Sequence, residues 1–151
     1  PKITVSKAAG ADPTLEANQD RITDNVWLTR GNIQGFYNAQ VELGFDTGSP
    51  ADTEWALGTT ADVSSLSFTN FQALILGSGR FPAVIGKDIV LHLISDDIYI
   101  DFKITSWGMR AEGGGAFTYE RSTAIPEPHA MAIAACLGAG LAGRRRRGAA
   151  G

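Results

Sequence analysis

The sequence predicts an all-β fold: an antiparallel β-sandwich or jelly-roll-like body followed by a short C-terminal transmembrane helix. Three observations predict it. Short segments of alternating apolar and polar residues recur between clusters of Gly, Asn, Asp and Pro, the pattern of half-buried strands separated by turns. No segment of the body sustains a helical period. Beyond the body, a charge-free run at 130–143 leads into Arg144, Arg145, Arg146 and Arg147. The chain of 151 residues therefore divides into a body, 1–123, large enough to bury a core, and a tail, 124–151.

Along the body, residues 3–5 offer a short strand, and 26–29, 40–45, 54–57 and 66–76 are further strand candidates. Within the last, 71–76 also fits a short turn of helix. Residues 46–50 and 77–82 read as loops. The clearest strand is 98–105, where Ile98, Ile100, Phe102 and Ile104 share one face and Tyr99, Asp101, Lys103 and Thr105 the other. An apolar strand at 89–94 precedes it, joined through the hairpin-like Ser95-Asp96-Asp97. Gly113, Gly114 and Gly115 permit a reversal into 117–122, where Phe117, Tyr119 and Arg121 alternate with Thr118, Glu120 and Ser122. Residues 89–122 thus read as a three-stranded antiparallel meander. There is no internal repeat, and 122–128 reads as a linker.

Charge narrows the function. The chain carries 13 basic and 16 acidic residues, a net of −3, and setting aside the four tail arginines leaves 9 against 16. An acidic body opposes nucleic-acid binding, which needs clustered Lys and Arg on one face. The single cysteine, Cys136, lies in the apolar tail, so the body has neither a disulfide nor a thiolate metal site. The sequence opens Pro1-Lys2-Ile3 without Met or a leader. An exported protein of this kind is expected to have had a signal peptide removed, or to carry one upstream.

The tail has three parts in a fixed order. Pro126, Glu127 and Pro128 hold the chain extended, the apolar run can enter a bilayer, and the arginines stay on the cytoplasmic side. This order resembles the PEP-CTERM sorting signal of Gram-negative bacteria, over about a fifth of the chain. The resemblance implies export and an exosortase-type membrane peptidase as partner. It also implies transient residence in the inner membrane, then the cell surface or exterior. The apolar run has 14 residues, which span about 21 Å as a helix against a hydrocarbon core of about 30 Å. Rich in Ala and Gly, it predicts a weak anchor, suited to brief presentation. The body resembles, more loosely, bacterial surface modules to which no activity is assigned. The stretches that carry this likeness are 22–31, 49–55 and 113–123.

Candidate chemistry is sparse. Phe45-Asp46-Thr47-Gly48-Ser49 resembles the catalytic loop of aspartic peptidases, with Val41, Leu43 and Phe45 alternating ahead of it and Leu74-Ile75-Leu76-Gly77 as a bracing element. The mechanism needs two carboxyls sharing a proton, so Asp46 implies a dimeric enzyme. The same residues are ordinary turn composition, and the bracing element sits closer than the family's spacing. Of two histidines, His129 is in the linker, and His92 shares a face with Val90 and Ile94, as a packed, hydrogen-bonded histidine would. A His-rich zinc site is excluded by count. Asp96, Asp97 and Asp101, with Asp46 and Asp52 near another loop, could offer oxygens to calcium, although such pairs are usually solvated turns. Trp27, Trp55, Trp107, Tyr37, Tyr99 and Tyr119 supply ring faces for sugars. Of these, Tyr99, Trp107 and Tyr119 are the candidate glycan contacts, and Trp27 and Trp55 read as core. The expectation is a non-enzymatic surface or matrix protein without an obligate cofactor. A module binding exopolysaccharide and the dimeric peptidase are the alternatives.

Overall fold

A computed structural model describes residues 1–124. The protein is mostly β, with two antiparallel sheets. The larger sheet holds five strands in the order β1-β8-β7-β6-β5: β1 Lys2–Lys7, β5 Thr53–Leu57, β6 Ile89–Leu93, β7 Ile98–Trp107 and β8 Phe117–Ser122. The smaller is β2-β3-β4, with β2 Asp20–Arg21, β3 Trp27–Arg30 and β4 Phe36–Asn38. Among the described residues no helix is long and apolar enough to cross a membrane. The expected membrane segment 130–143, the motif Pro126-Glu127-Pro128, His129, Cys136 and Arg144–Arg147 all lie outside the described residues.

The meander forms as expected. β6 pairs with β7 and β7 with β8, with a register shift between Ile104 and Ser106. Its alternation works because one side of each strand meets the core. Ile98 is half-buried and Ile100, Phe102 and Ile104 are fully buried. The sheet extends on both flanks, through β5 beside β6 and through β1 beside β8.

Phe36 of β4 links the sheets. Its ring centroid lies 5.0–6.3 Å from those of Trp55, Phe71, Phe102, Trp107, Phe117 and Tyr119. Most of these contacts are edge-to-face, the geometry that suits aromatic quadrupoles. Leu28 joins the same cluster from the smaller sheet and Val26 from just before β3, and Leu91 and Leu93 join from the larger. Trp55 is core, as expected, whereas Trp27 is half-buried beneath the Arg21 guanidinium at 3.9 Å.

Two expected strands are not formed. Residues 40–45 make turns, with Val41 and Leu43 68% and 105% exposed. An alternation that buries nothing cannot fix a strand. Glu42 organises this segment instead, accepting from the backbone N–H of Asn38 and Ala51 and from Ser49 Oγ. The 66–76 segment divides. Thr69 exchanges both backbone hydrogen bonds with Trp55, and Phe71–Gly77 is the helix α1, capped by Asn70 Oδ1 accepting from Ala73 N–H. The triple glycine does more than reverse the chain. At Gly115, φ is +72° and a Cβ would lie 1.7 Å from the Gly31 carbonyl oxygen, so only glycine fits that backbone crossing.

Asp20 ties the sheets together by charge. Its Oδ2 accepts from Tyr119 Oη and Arg121 Nε, both at 2.6 Å, and its Oδ1 from Arg121 Nη2 at 2.8 Å. All three residues are buried. Burial, and then the Asp20 carboxylate, push the Tyr119 hydroxyl well above its ordinary range. Burial alone lowers the Arg121 guanidinium, but its bonds to Asp20 outweigh this and raise it.

Candidate functional site

Strand register sets the candidate site. Glu54 on β5 stands opposite His92 on β6, and His92 opposite Tyr99 on β7. These positions alternate with buried Trp55, Leu91 and Ile100, so the row faces away from the core. His92 Nδ1 lies 2.8 Å from Glu54 Oε1, and Nε2 lies 3.0 Å from Asp97 Oδ1 in the β6–β7 turn. A doubly protonated ring donates both bonds, and either neutral tautomer donates one. Tyr99 stacks on the imidazole at 4.1 Å with 4° between the planes. Phe68 closes against both rings, 5.9 Å from His92 and 5.8 Å from Tyr99.

Position and exposure define what this ledge can do. His92 is 7% exposed, with both ring nitrogens engaged, and Tyr99 is 39% exposed. The imidazole is therefore a clamped support, as a packed histidine is expected to be, and Tyr99 is the ring offered to solvent. On the same side of the sheet, Glu54 and Asp97 bracket His92 with carboxylate oxygens able to accept hydroxyl hydrogens. An apolar ring face beside acceptors suits the face and edge of a sugar. Nearby on the same sheet side, a recess of about 140 Å³ is lined by Lys2, Asp88, Asp101, Lys103 and Glu120 among others. It is smaller than the roughly 300 Å³ at which small-molecule pockets begin, so an extended surface contact fits this face better than an enclosed ligand.

The other glycan candidates belong to the interior. Tyr119 is 0% exposed and its hydroxyl is bound to Asp20, so it meets no ligand. Trp107 is half-buried, stacked on Phe81 at 4.4 Å and against the Arg30 guanidinium at 3.7 Å. Its π surface is already used. Arg30 donates to the Gln34 and Ala116 carbonyls, and burial draws its guanidinium down to about 10. Buried Lys7 donates to the Gly115 carbonyl, and burial, then the Arg30 charge, lower its ammonium.

The calcium candidates diverge. Asp96 accepts from Thr23 Oγ1 and Asn25 Nδ2, Asp97 from His92, and Asp101 from Thr60 N–H and Oγ1. Asp52 accepts from Ser95. No cluster of three metal-ligating side chains occurs among the described residues. The Asp46 loop is an exposed turn closed on itself: Asp46 Oδ1 accepts from Thr47 N–H, and Asp46 N–H donates to Ser49 Oγ. The strand expected to feed it is absent, and its expected brace, 74–77, lies within α1.

Two site residues escaped the sequence reading. Glu54 falls at the start of an expected strand and in the 49–55 stretch, with no role of its own, and Phe68 lies inside a segment expected to be β. The available signal was the alternation of Glu54 with Trp55, which fixes the side of the sheet but not the partner across it. Comparison with protein-family models, with curated proteins and with solved structures returned no match to this chain.

Proposed function

We propose that this chain is an exported cell-surface or extracellular-matrix protein of a Gram-negative bacterium, with a structural or adhesive role. Its body is a β-sandwich whose two sheets close on the Phe36 core. Its tail is a sorting signal: Pro126, Glu127 and Pro128 for recognition, 130–143 as the transient membrane helix, and Arg144 to Arg147 as the cytoplasmic stop. The order of those three parts carries the proposal. It accords with a body that needs no disulfide, since one buried ion pair and a continuous aromatic core hold it. The test is the intact mass of the secreted protein from hosts with and without an exosortase-type peptidase. Loss of the arginines only in the competent host is expected. A mature mass that retains them there refutes the proposal.

A second reading, contact with exopolysaccharide, is favoured by Tyr99, stacked flat on a His92 that Glu54 and Asp97 hold, yet itself exposed. The protein should be retarded on an immobilised acidic or neutral exopolysaccharide, and Tyr99→Ala should abolish the retardation. Retention that survives Tyr99→Ala removes this reading.

A further inference from the structure

The two margins of the five-stranded sheet are not alike. The outer margin of β5 is covered at its centre, where Trp55 exchanges both backbone hydrogen bonds with Thr69. β1 is the opposite margin, paired only with β8 among the described residues. Its sequence, Lys2-Ile3-Thr4-Val5-Ser6-Lys7, holds three consecutive β-branched residues and no proline. Its register with β8 is continuous, without a bulge. Lys7 turns inward and is buried, so it does not guard the margin as edge lysines do. Ile3 is 38% exposed.

We propose that β1 is a recognition edge that pairs antiparallel with β1 of a second copy of this chain, joining two five-stranded sheets across a two-fold axis. The sequence is self-complementary about its centre. Lys2, Thr4 and Ser6 lie on the outer side, where Ser6 Oγ meets Thr118 Oγ1 at 3.0 Å, and Ile3, Val5 and Lys7 lie on the core side. A two-fold axis normal to the sheet keeps each side with its like. Centred on Thr4, it sets Thr4 against Thr4, Ile3 against Val5, and Lys2 against Ser6. The exposed isoleucine then meets an apolar partner and no like charges are opposed. Centred one residue later, it sets Ile3 against Lys7 and loses that match. The acidic body repels its copy, so the pairing strengthens with added salt.

The test uses the full chain carrying Cys136→Ser, which removes the single native thiol. Thr4→Cys on that background brings two thiols together at the axis, and mild oxidation traps a covalent dimer. Thr118→Cys lies one strand inward on the same side, opposite Ser6, about 20 Å from its copy and beyond the roughly 7 Å reach of a disulfide, and stays monomeric. Thr4→Lys, at an exposed position that leaves the monomer's melting unchanged, weakens self-association in sedimentation by about tenfold through opposed ammonium groups. Equal trapping of both cysteine variants, an unchanged dimer in Thr4→Lys, or a monomer with neither thiol trapped overturns the proposal.

Discussion

Replacing Asp20 by alanine removes the one carboxylate that Tyr119 and Arg121 share. The side chains of Asp20 and Arg121 are each 7% exposed, so the loss leaves a nearly buried guanidinium with only the Ser122 carbonyl as acceptor. Breaking a buried ion pair from one side costs about 3–5 kcal/mol, and an orphaned hydroxyl adds about 1–3 kcal/mol. The three groups form one network, so these costs overlap rather than add. We expect about 4 kcal/mol, a large part of the roughly 5–15 kcal/mol that stabilises an ordinary domain. In a domain of this size that corresponds to a fall in melting temperature of roughly 15 °C. Urea titration and calorimetry of Asp20→Ala measure it. The double variant Asp20→Leu, Arg121→Met separates charge from packing, because replacing both ions by apolar groups is often neutral, and most of the loss should return. A cost below about 1 kcal/mol for Asp20→Ala would refute the reasoning, since that is the value of a solvated surface pair.

Tyr119 gives the same network a pH dependence. Its pKa is raised by folding, first by burial and then by Asp20, so above pH 10 the folded state holds a proton that the unfolded state releases. Stability is therefore intact below about pH 10 and declines as pH rises further; Tyr119→Phe should remove that decline in alkaline urea titrations. Glu42→Ala leaves the Asn38 and Ala51 N–H groups and Ser49 Oγ without their acceptor. It should cost about 2 kcal/mol and open 39–50 to limited proteolysis. Gly115→Ala forces a Cβ onto the Gly31 carbonyl at a positive φ, and a loss of more than about 2 kcal/mol is expected by chemical denaturation. Asp46→Asn should leave an acid-proteolysis assay on unfolded protein unchanged from the wild type, and loss of a wild-type activity would restore the peptidase reading.

The back half of the fold was legible because its period and its burial agree. Ile100, Phe102 and Ile104 alternate in sequence and meet one core. In 40–45 the same alternation is spent on solvent, and the backbone follows Glu42. At 71–77 a helix wins because Asn70 supplies its cap, a signal that apolar content alone obscures. β4 went unread because three residues are too few to show a period, although one of them, Phe36, is the centre of the core. Arg121 alternates onto the face of Phe117 and Tyr119, but the alternation alone does not show that it is buried and paired. Its partner is 101 positions away, and nothing local names it. The site followed the same rule. Tyr99 stood out as the ring opposite the Ile98–Ile100 face, whereas Tyr119 sits on the core side of β8 with Phe117 and is lost to solvent.

The partnership of β1 with β8 also bears on when the body can take shape. The first strand has no template until residues 117–122 have been made, so the sheet cannot be completed while the ribosome is still synthesising the middle of the chain. Such distant pairing is slow to form. Until then β1 stays an unpaired strand beside a sheet whose other members made by that point, β5 to β7, already have their partners.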